Sequence, residues 1–285
     1  MKIIVTGKNG QLGSELQQLA AQFAQHEFVF IDREELDITN EAAVKDFMHL
    51  HKPDGCIHCA AYTAVDKAET EQEIAKNVNA NAVKYLAEAC EKYKARLIQI
   101  STDYVFNGNG TEPYLPNAAT EPVNYYGYTK WLGEQNALQY NSATVIIRTS
   151  WVYSEFGANF VKTMLRLMKE KPALNVVNDQ VGCPTYAKDL AAACLKIIFA
   201  ENFTTGIHHY SNTGIISWYN FAVAINEIAA LTSCKVAGIT SINYPTPAKR
   251  PSYSAMDLSS IENDYQVYLR PWREALEECM QKLLG

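Results

Sequence analysis

The feature that most constrains this chain is a set of three glycines spaced three residues apart. Lys2-Ile3-Ile4-Val5-Thr6 is a short apolar run, and it leads directly into Gly7-Lys8-Asn9-Gly10-Gln11-Leu12-Gly13, where an amphipathic segment begins. A strand that turns through glycines into a helix makes a cradle for phosphate. Free amides at the helix N-terminus and the helix dipole favour the negative charge, and a pyrophosphate must come close to the backbone to use them. A Cβ at the tight positions would hold it off. The chain is therefore expected to open with the strand, turn and helix of a dinucleotide-binding unit, with the dinucleotide resting on Gly7, Gly10, Gln11 and Leu12.

The pattern that follows supports this. Strand-like runs at Phe28 to Asp32, Gly55 to Cys59, Arg96 to Ser101 and Thr144 to Arg148 alternate with helical segments at Gln11 to Phe23, Glu41 to His49, Gln72 to Tyr93 and Asn124 to Tyr140. Alternation of this kind builds a parallel sheet with helices on its faces. Ile3-Ile4-Val5 and Val145-Ile146-Ile147 lack polar alternation, as expected of central strands covered on both sides. Beyond about residue 150 the rhythm loosens. Helical segments near 160–169, 187–199 and 217–231 are separated by irregular, proline-bearing stretches such as Tyr244-Pro245-Thr246-Pro247 and Arg250-Pro251. The expected fold is α/β: a Rossmann-type, doubly wound parallel sheet with a smaller, partly interleaved C-terminal lobe. Residues 1–150 and roughly 174–205 would form the nucleotide half, with 151–173 and 206–285 in the lobe.

Composition removes several classes of function. Hydrophobic residues at 48% and charged residues at 20% exclude a disordered chain. A net charge of -6, with no local run of Lys and Arg, repels phosphate backbones, so nucleic acid is not an expected partner. No apolar stretch approaches the roughly 18 to 20 residues that cross a bilayer. The first apolar run is also short for a signal peptide, and seven cysteines spread over 285 residues do not suggest a disulfide framework, so the cytoplasm is the expected compartment. Cys56-Ile57-His58-Cys59 has no second pair with which to hold zinc, and adjacent His208 and His209 would point to opposite faces of a strand. No metal is assigned to either, and the histidines are expected to meet solvent or make hydrogen bonds.

Two further stretches suggest chemistry. Asp32, at the end of the second strand, can accept from adenosine ribose hydroxyls, whereas Arg33 beside it suits a 2′-phosphate, so both NADH and NADPH stay open. Tyr126-Gly127-Tyr128-Thr129-Lys130 places a phenol and an ammonium four residues apart, on one helix face. A neighbouring ammonium is expected to stabilise the phenolate and bring the Tyr126 pKa down. After the fourth strand, Ser101-Thr102-Asp103-Tyr104 sets hydroxyls at the carboxyl edge of the sheet, where open α/β folds bind ligands, and Thr102 could donate to a substrate carbonyl. Loop, acid, hydroxyl and Tyr/Lys pair follow the order that a hydride-transfer site needs.

With these residues in place, the chain resembles the dTDP-4-dehydrorhamnose reductase family of the extended short-chain dehydrogenase/reductase superfamily. The resemblance runs through Gly7 to Gly13, Cys59 to Asp66, Ser101 to Phe106, Tyr126 to Lys130, Arg148 to Tyr153, Asp179 to Thr185 and Arg250-Pro251. It implies a nucleotide-sugar substrate and a catalytic set of Thr102, Tyr126 and Lys130. It further implies coenzyme contacts at Gly7, Gly10, Gln11, Leu12, Asp32, Arg33, Asp37, Ile38, Ala60, Ala61 and Tyr62, joined by Tyr126 and Lys130. Substrate contacts would fall on Val65, Thr102, Asp103, Tyr104 and Trp151, with Trp151 as a flat apolar wall against the sugar and Arg250 and Lys249 as candidates for the diphosphate.

Some members of the family dimerise through a magnesium site resembling Glu15 with an acidic pair near position 189. Here Asp189 follows Lys188, and a lysine in such a cluster repels a dication, which counts against Mg2+ and a metal-bridged dimer; another homodimer stays open. The rival readings are a nucleotide-sugar epimerase or 4,6-dehydratase of the same superfamily and a non-catalytic regulatory subunit. A dehydratase would want an acidic pair after Thr102, where this chain has Asp103-Tyr104. The intact Thr102, Tyr126 and Lys130 speak against the regulatory subunit.

Overall fold

A computed structural model describes residues 1–285. The nucleotide half opens with β1 (Lys2–Thr6), α1 (Gln11–Ala20), β2 (Glu27–Ile31), α2 (Glu41–His51), β3 (Gly55–His58), α3 (Val65–Ala68) and α4 (Gln72–Lys76). It continues through α5 (Ala82–Tyr93), β4 (Arg96–Thr102), α6 (Tyr125–Tyr140) and β5 (Thr144–Thr149). After it come β6 (Val152–Tyr153), α7 (Phe160–Glu170), β7 (Ala173–Val177), β8 (Val181–Gly182), β9 (Thr185–Tyr186) and α8 (Ala187–Ile198). The chain ends with β10 (Gly206–His209), β11 (Ile216–Ser217), α9 (Trp218–Ile228), β12 (Lys235–Ile239), α10 (Ser259–Tyr265) and α11 (Trp272–Leu284). No helix is long and apolar enough to cross a membrane.

Six parallel strands form the main sheet in the order β10-β5-β4-β3-β1-β2. The strand residues alternate between two cores, as the period of a pleated strand requires. Ile3, Val5, Ile57, Ile98, Val145 and Ile147 face α1, α8 and α10. Ile4, Cys56, Leu97 and Ile146 face α2, α5 and α6. Both faces are covered, which is why these strands read as unbroken apolar runs. Side chains cap the helices that bear on function: Asn124 accepts from the Gly127 amide at the start of α6, and Asn159 accepts from the Lys162 amide at the start of α7.

The lobe has a core of its own. Val161, Met164, Leu165, Leu174, Phe221, Ile225, Leu276 and Met280 pack together from α7, β7, α9 and α11. Its sheets have two strands each: β12 with β7, β11 with β8, and β6 with β9.

Strand pairing departs from the expected division of the chain in two places. β7, expected in the nucleotide half, pairs with β12 in the lobe, and β10, expected in the lobe, extends the main sheet beside β5. The reason lies in crossover. α8 lies between them in sequence and packs on α1 in the nucleotide half, so the chain crosses between halves more often than a change in composition can register. The helix expected at 72–93 is also interrupted, by a π-helical turn at Asn77–Asn81 between α4 and α5. His208 and His209 are both buried, and their rings bond to the Thr204 carbonyl at 3.4 Å and the Asp257 carbonyl at 3.1 Å, so of the two expected roles it is hydrogen bonding that they play.

Candidate active site

The glycine turn is built for close approach. Gly7 has φ +70, and a Cβ there would sit 2.8 Å from the Ala60 amide nitrogen; a Cβ on Gly13 would sit 2.1 Å from the Gly7 carbonyl oxygen. The N-cap of α1 is Gly10, with no side-chain cap. The first-turn amides of this helix are therefore open to an anion, unlike those of α6 and α7. Beyond the turn, a cavity of about 350 Å³ is lined by Gly7, Asp32, Arg33, Asp37, Ile38, Ala60 and Ala61 among others. The Asp32 carboxylate accepts from the Asn9 and Arg33 amides, and the Arg33 side chain is exposed and forms no ion pair. Asp37 is held by Thr39, whose hydroxyl and amide hold its carboxyl below the usual range.

The groove continues into a wider cavity of about 650 Å³, which shares Gly7, Asp32, Ala60 and Ala61 with the first. Gly10, Gln11, Leu12, Asp103, Tyr126, Lys130 and Trp151 line this second part. Residues expected to hold the coenzyme and residues expected to be catalytic thus meet along one groove at the carboxyl ends of β1, β4 and β5, where doubly wound sheets hold ligands.

At its inner end, burial dominates the titration of the catalytic pair. The Tyr126 phenol is pushed up to about 12, chiefly by burial and further by Asp103, against a hydrogen bond with Thr102. Lys130 is brought down to about 8 by burial, opposed by the charge of Glu134, and its ammonium donates to the Ile100 carbonyl at 2.6 Å. Lys130 is not among the groups that shift Tyr126, so the expected depression of the phenol does not occur. Desolvation outweighs any long-range attraction here.

Other expectations are also modified. Thr102 donates its only hydroxyl proton to Asp103 Oδ1 at 2.9 Å and accepts from the Tyr104 amide, instead of projecting a free donor into the cavity. Asp103 itself is buried, its carboxyl raised to about 6 by desolvation, and Oδ2 has no partner. Val65 and Tyr104, both half-buried, pack around Tyr126 and are not among the residues that line the cavity. Tyr62 also lies off the wall, its phenol donating to Glu71 at 2.8 Å.

Trp151 reaches the wall, but one face of its ring is stacked on Trp218. Arg250 bonds Asp66 at 2.8 Å, which accounts for one nitrogen and leaves Nη1 unpaired. The Lys249 carbonyl accepts from Asn124 at 2.8 Å, which ties this stretch to the start of α6.

Several residues that matter to the site carried no sequence signal. Asn79, inside the π-helical turn, accepts from the Tyr62 amide and donates to the Tyr62 carbonyl and to Thr129, clamping the Ala60–Tyr62 loop to the catalytic helix. π-turns recur at functional sites, but an asparagine within an apolar helix does not announce one. Glu134, one turn after Lys130, accepts from Ser101 and forms a bidentate, buried pair with Arg148.

Glu15 and Asp189, the positions resembling a magnesium site, are engaged elsewhere. Glu15 accepts from Ser154 at 2.7 Å, Asp189 binds Arg270 and Asn212, and Lys188 pairs with Glu278. No group of three or more His, Cys, Asp or Glu side chains is placed to hold a metal ion.

Comparison with known proteins agrees with this geometry over the whole chain. Residues 1–284 match the family described as RmlD substrate binding domain. A dTDP-4-dehydrorhamnose reductase from Aggregatibacter actinomycetemcomitans is 40% identical over 285 residues, covering 97% of each protein. The crystal structure of a dTDP-4-dehydrorhamnose reductase from Clostridium acetobutylicum superposes with a TM-score of 0.96 at 42% identity, covering 100% of both chains. Its counterpart from Bacillus anthracis, solved in complex with NADP, gives a TM-score of 0.94 at 38% identity over 99% of each chain. On this combined agreement of fold, groove and sequence, the chain belongs to the RmlD substrate binding domain family, that of the dTDP-4-dehydrorhamnose reductases.

Proposed function

We propose that the protein is an NAD(P)H-dependent reductase that converts the C4 ketone of dTDP-4-dehydro-L-rhamnose to the alcohol of dTDP-L-rhamnose, the last step in making that sugar nucleotide. The observation that carries the reading is a single groove with an uncapped helix N-terminus at one end and Tyr126 with Lys130 at the other. The residues present suit a dinucleotide. Gly7, Gly10, Gln11 and Leu12 would take its pyrophosphate, Asp32 its ribose hydroxyls or Arg33 a 2′-phosphate, with Asp37, Ile38, Ala60, Ala61 and Tyr62 around the adenosine and the loop beyond it. Bound there, the reduced coenzyme supplies the hydride.

The protein's own part is to supply a proton and hold the sugar. Tyr126 donates its phenolic proton to the C4 oxygen as that oxygen gains charge, and a phenol raised to about 12 is protonated and ready at neutral pH. Lys130, which donates to the Ile100 carbonyl at the same end of the groove, places an ammonium where it would hold the nicotinamide ribose. Thr102 orients the phenol, and the free oxygen of buried Asp103 is available to accept from a sugar hydroxyl. Trp151, Val65 and Tyr104 form the apolar surroundings, and Arg250, held by Asp66, with exposed Lys249 beside it, is the basic group for the diphosphate. A cytoplasmic setting is supported by seven cysteines that are all unpaired.

The test follows loss of reduced-coenzyme absorbance when the purified protein meets dTDP-4-dehydro-L-rhamnose with NADPH and, separately, with NADH. Tyr126→Phe should lower kcat by about 10²- to 10⁴-fold while coenzyme affinity is unchanged. Near-normal turnover by that variant would sink the assignment of the proton donor.

A further inference from the structure

Trp151 sits on a strained backbone. Its φ is 50, in the left-handed region that bulky residues avoid. Four other non-glycine residues share that region, and each ends a helix: Lys52 after α2, Lys94 after α5, Ala230 just past α9 and Gln266 after α10. Trp151 ends none; it stands at the exit of β5, where the chain leaves the nucleotide half for the lobe.

Its ring is constrained as well. Trp218, the first residue of α9, stacks on it with centroids 3.6 Å apart and planes 10° from parallel. Aromatic pairs prefer offset or edge-on arrangements to such a face-to-face sandwich, so the surroundings impose it. Three groups do so. Ser217 and Asn220 close a capping box that sets the start of α9, and Phe160 packs on Trp218 with centroids 4.6 Å apart. Gly182 also packs close to the ring: a Cβ there would lie 3.0 Å from Trp151 Cε2 and 2.5 Å from Ser254 Oγ. Strained backbone and over-determined side chains gather where a site has to hold a shape. The cavity that contains Tyr126 and Lys130 is lined by Trp151 and not by Trp218, which is half-buried and packs against Trp151, Phe160 and Phe221.

We propose that Trp218 is a substrate-positioning residue: by backing Trp151 it fixes which part of that indole meets the sugar, and so sets affinity for the sugar nucleotide without touching it. The inference rests on the proposed reductase reading and deepens it. Because Trp218 belongs to the lobe and Trp151 to the end of the main sheet, the stack also carries the lobe's position to the site.

The experiment compares wild type, Trp218→Ala and Trp218→Phe in steady-state kinetics and far-ultraviolet circular dichroism, where stacked indoles give an exciton couplet. For Trp218→Ala the expected result is loss of the couplet, a rise of about tenfold or more in KM for the sugar nucleotide, kcat within about threefold and an unchanged KM for NADPH. Trp218→Phe keeps a flat ring behind Trp151 and should restore the sugar KM to within about threefold of wild type. An unchanged sugar KM, a couplet that survives in the alanine variant, or sugar and coenzyme KM rising together in both variants would each overturn the proposal. If wild type itself shows no turnover, the reductase reading fails separately. Calorimetric titration of wild type and Trp218→Ala with dTDP-L-rhamnose then decides the role of Trp218: equal affinities overturn it, weaker binding by the variant upholds it.

Discussion

The nucleotide half and the lobe build their shares of the site by opposite means. In the nucleotide half the work falls to backbone and to charge: a glycine turn, the uncapped start of α1, the ends of parallel strands, and a buried ion pair between Glu134 of α6 and Arg148 of β5. In the lobe it falls to shape, with Phe160, Trp218, Phe221 and Trp272 packed ring against ring and Trp151 stacked on Trp218 from the end of β5. A phosphate asks for amides and dipoles, which any chain supplies once it turns the right way. A sugar's apolar surface asks for large side chains brought together from distant positions. The difference explains why a dinucleotide site can be read along one stretch of chain and a sugar site cannot.

That contrast can be broken by experiment, and the largest effect is expected in the nucleotide half. Glu134→Gln leaves Arg148, which is 2% exposed, without its charged partner. Breaking a pair so deeply buried should cost about 3–5 kcal/mol, read as a lower denaturant midpoint with the slope unchanged. A loss near zero would show that this half, too, is held by shape alone.

The second effect is on rate. Lys130 titrates near 8 in the folded protein because burial disfavours its charge, so the ammonium is present below that pH and lost above it. The value of kcat/KM should therefore fall on the alkaline side of about pH 8, approaching tenfold per unit, and the limb should vanish in Lys130→Arg, whatever the variant's absolute rate. A wild-type profile flat from neutrality to pH 9.5 (roughly one and a half units past the expected break) would remove the ammonium from the mechanism.

The smallest effect is expected at the seam. Asp66 holds Arg250 and the Ala248 amide, but its side chain is 40% exposed and the pair is screened by solvent. Asp66→Asn should cost less than about 1 kcal/mol, a shift of only a few degrees in Tm, while raising the KM for the sugar nucleotide because the stretch carrying Arg250 loosens. A large stability loss with normal KM would mean that this contact belongs to the scaffold instead.

Legibility in the sequence followed the same line. The first five strands, the glycine turn and the Tyr126–Lys130 pair all stood out, because each is local: an apolar run, a three-residue step, a four-residue step. Asn79 was invisible because a π-turn is a defect in a helix whose pattern otherwise continues. The state of Thr102 was also hidden, since a hydroxyl has one proton and only its neighbour decides where it goes. Division into halves was read only in outline, because β7 and β10 exchange sides by pairing, and hydropathy reports burial and not the partner.

By itself, the sequence determined the class of fold, the glycine turn before α1 and the placing of Tyr126 and Lys130 on one helix, since these depend on spacings of a few residues. Tertiary structure alone decided the phenol's high pKa, the bonds of Glu15 to Ser154 and of Asp189 to Arg270 and Asn212, and the stack of Trp151 on Trp218. Each of these depends on what lies against a side chain from a distant part of the chain, and burial, charge and contact are properties of that neighbour as much as of the residue.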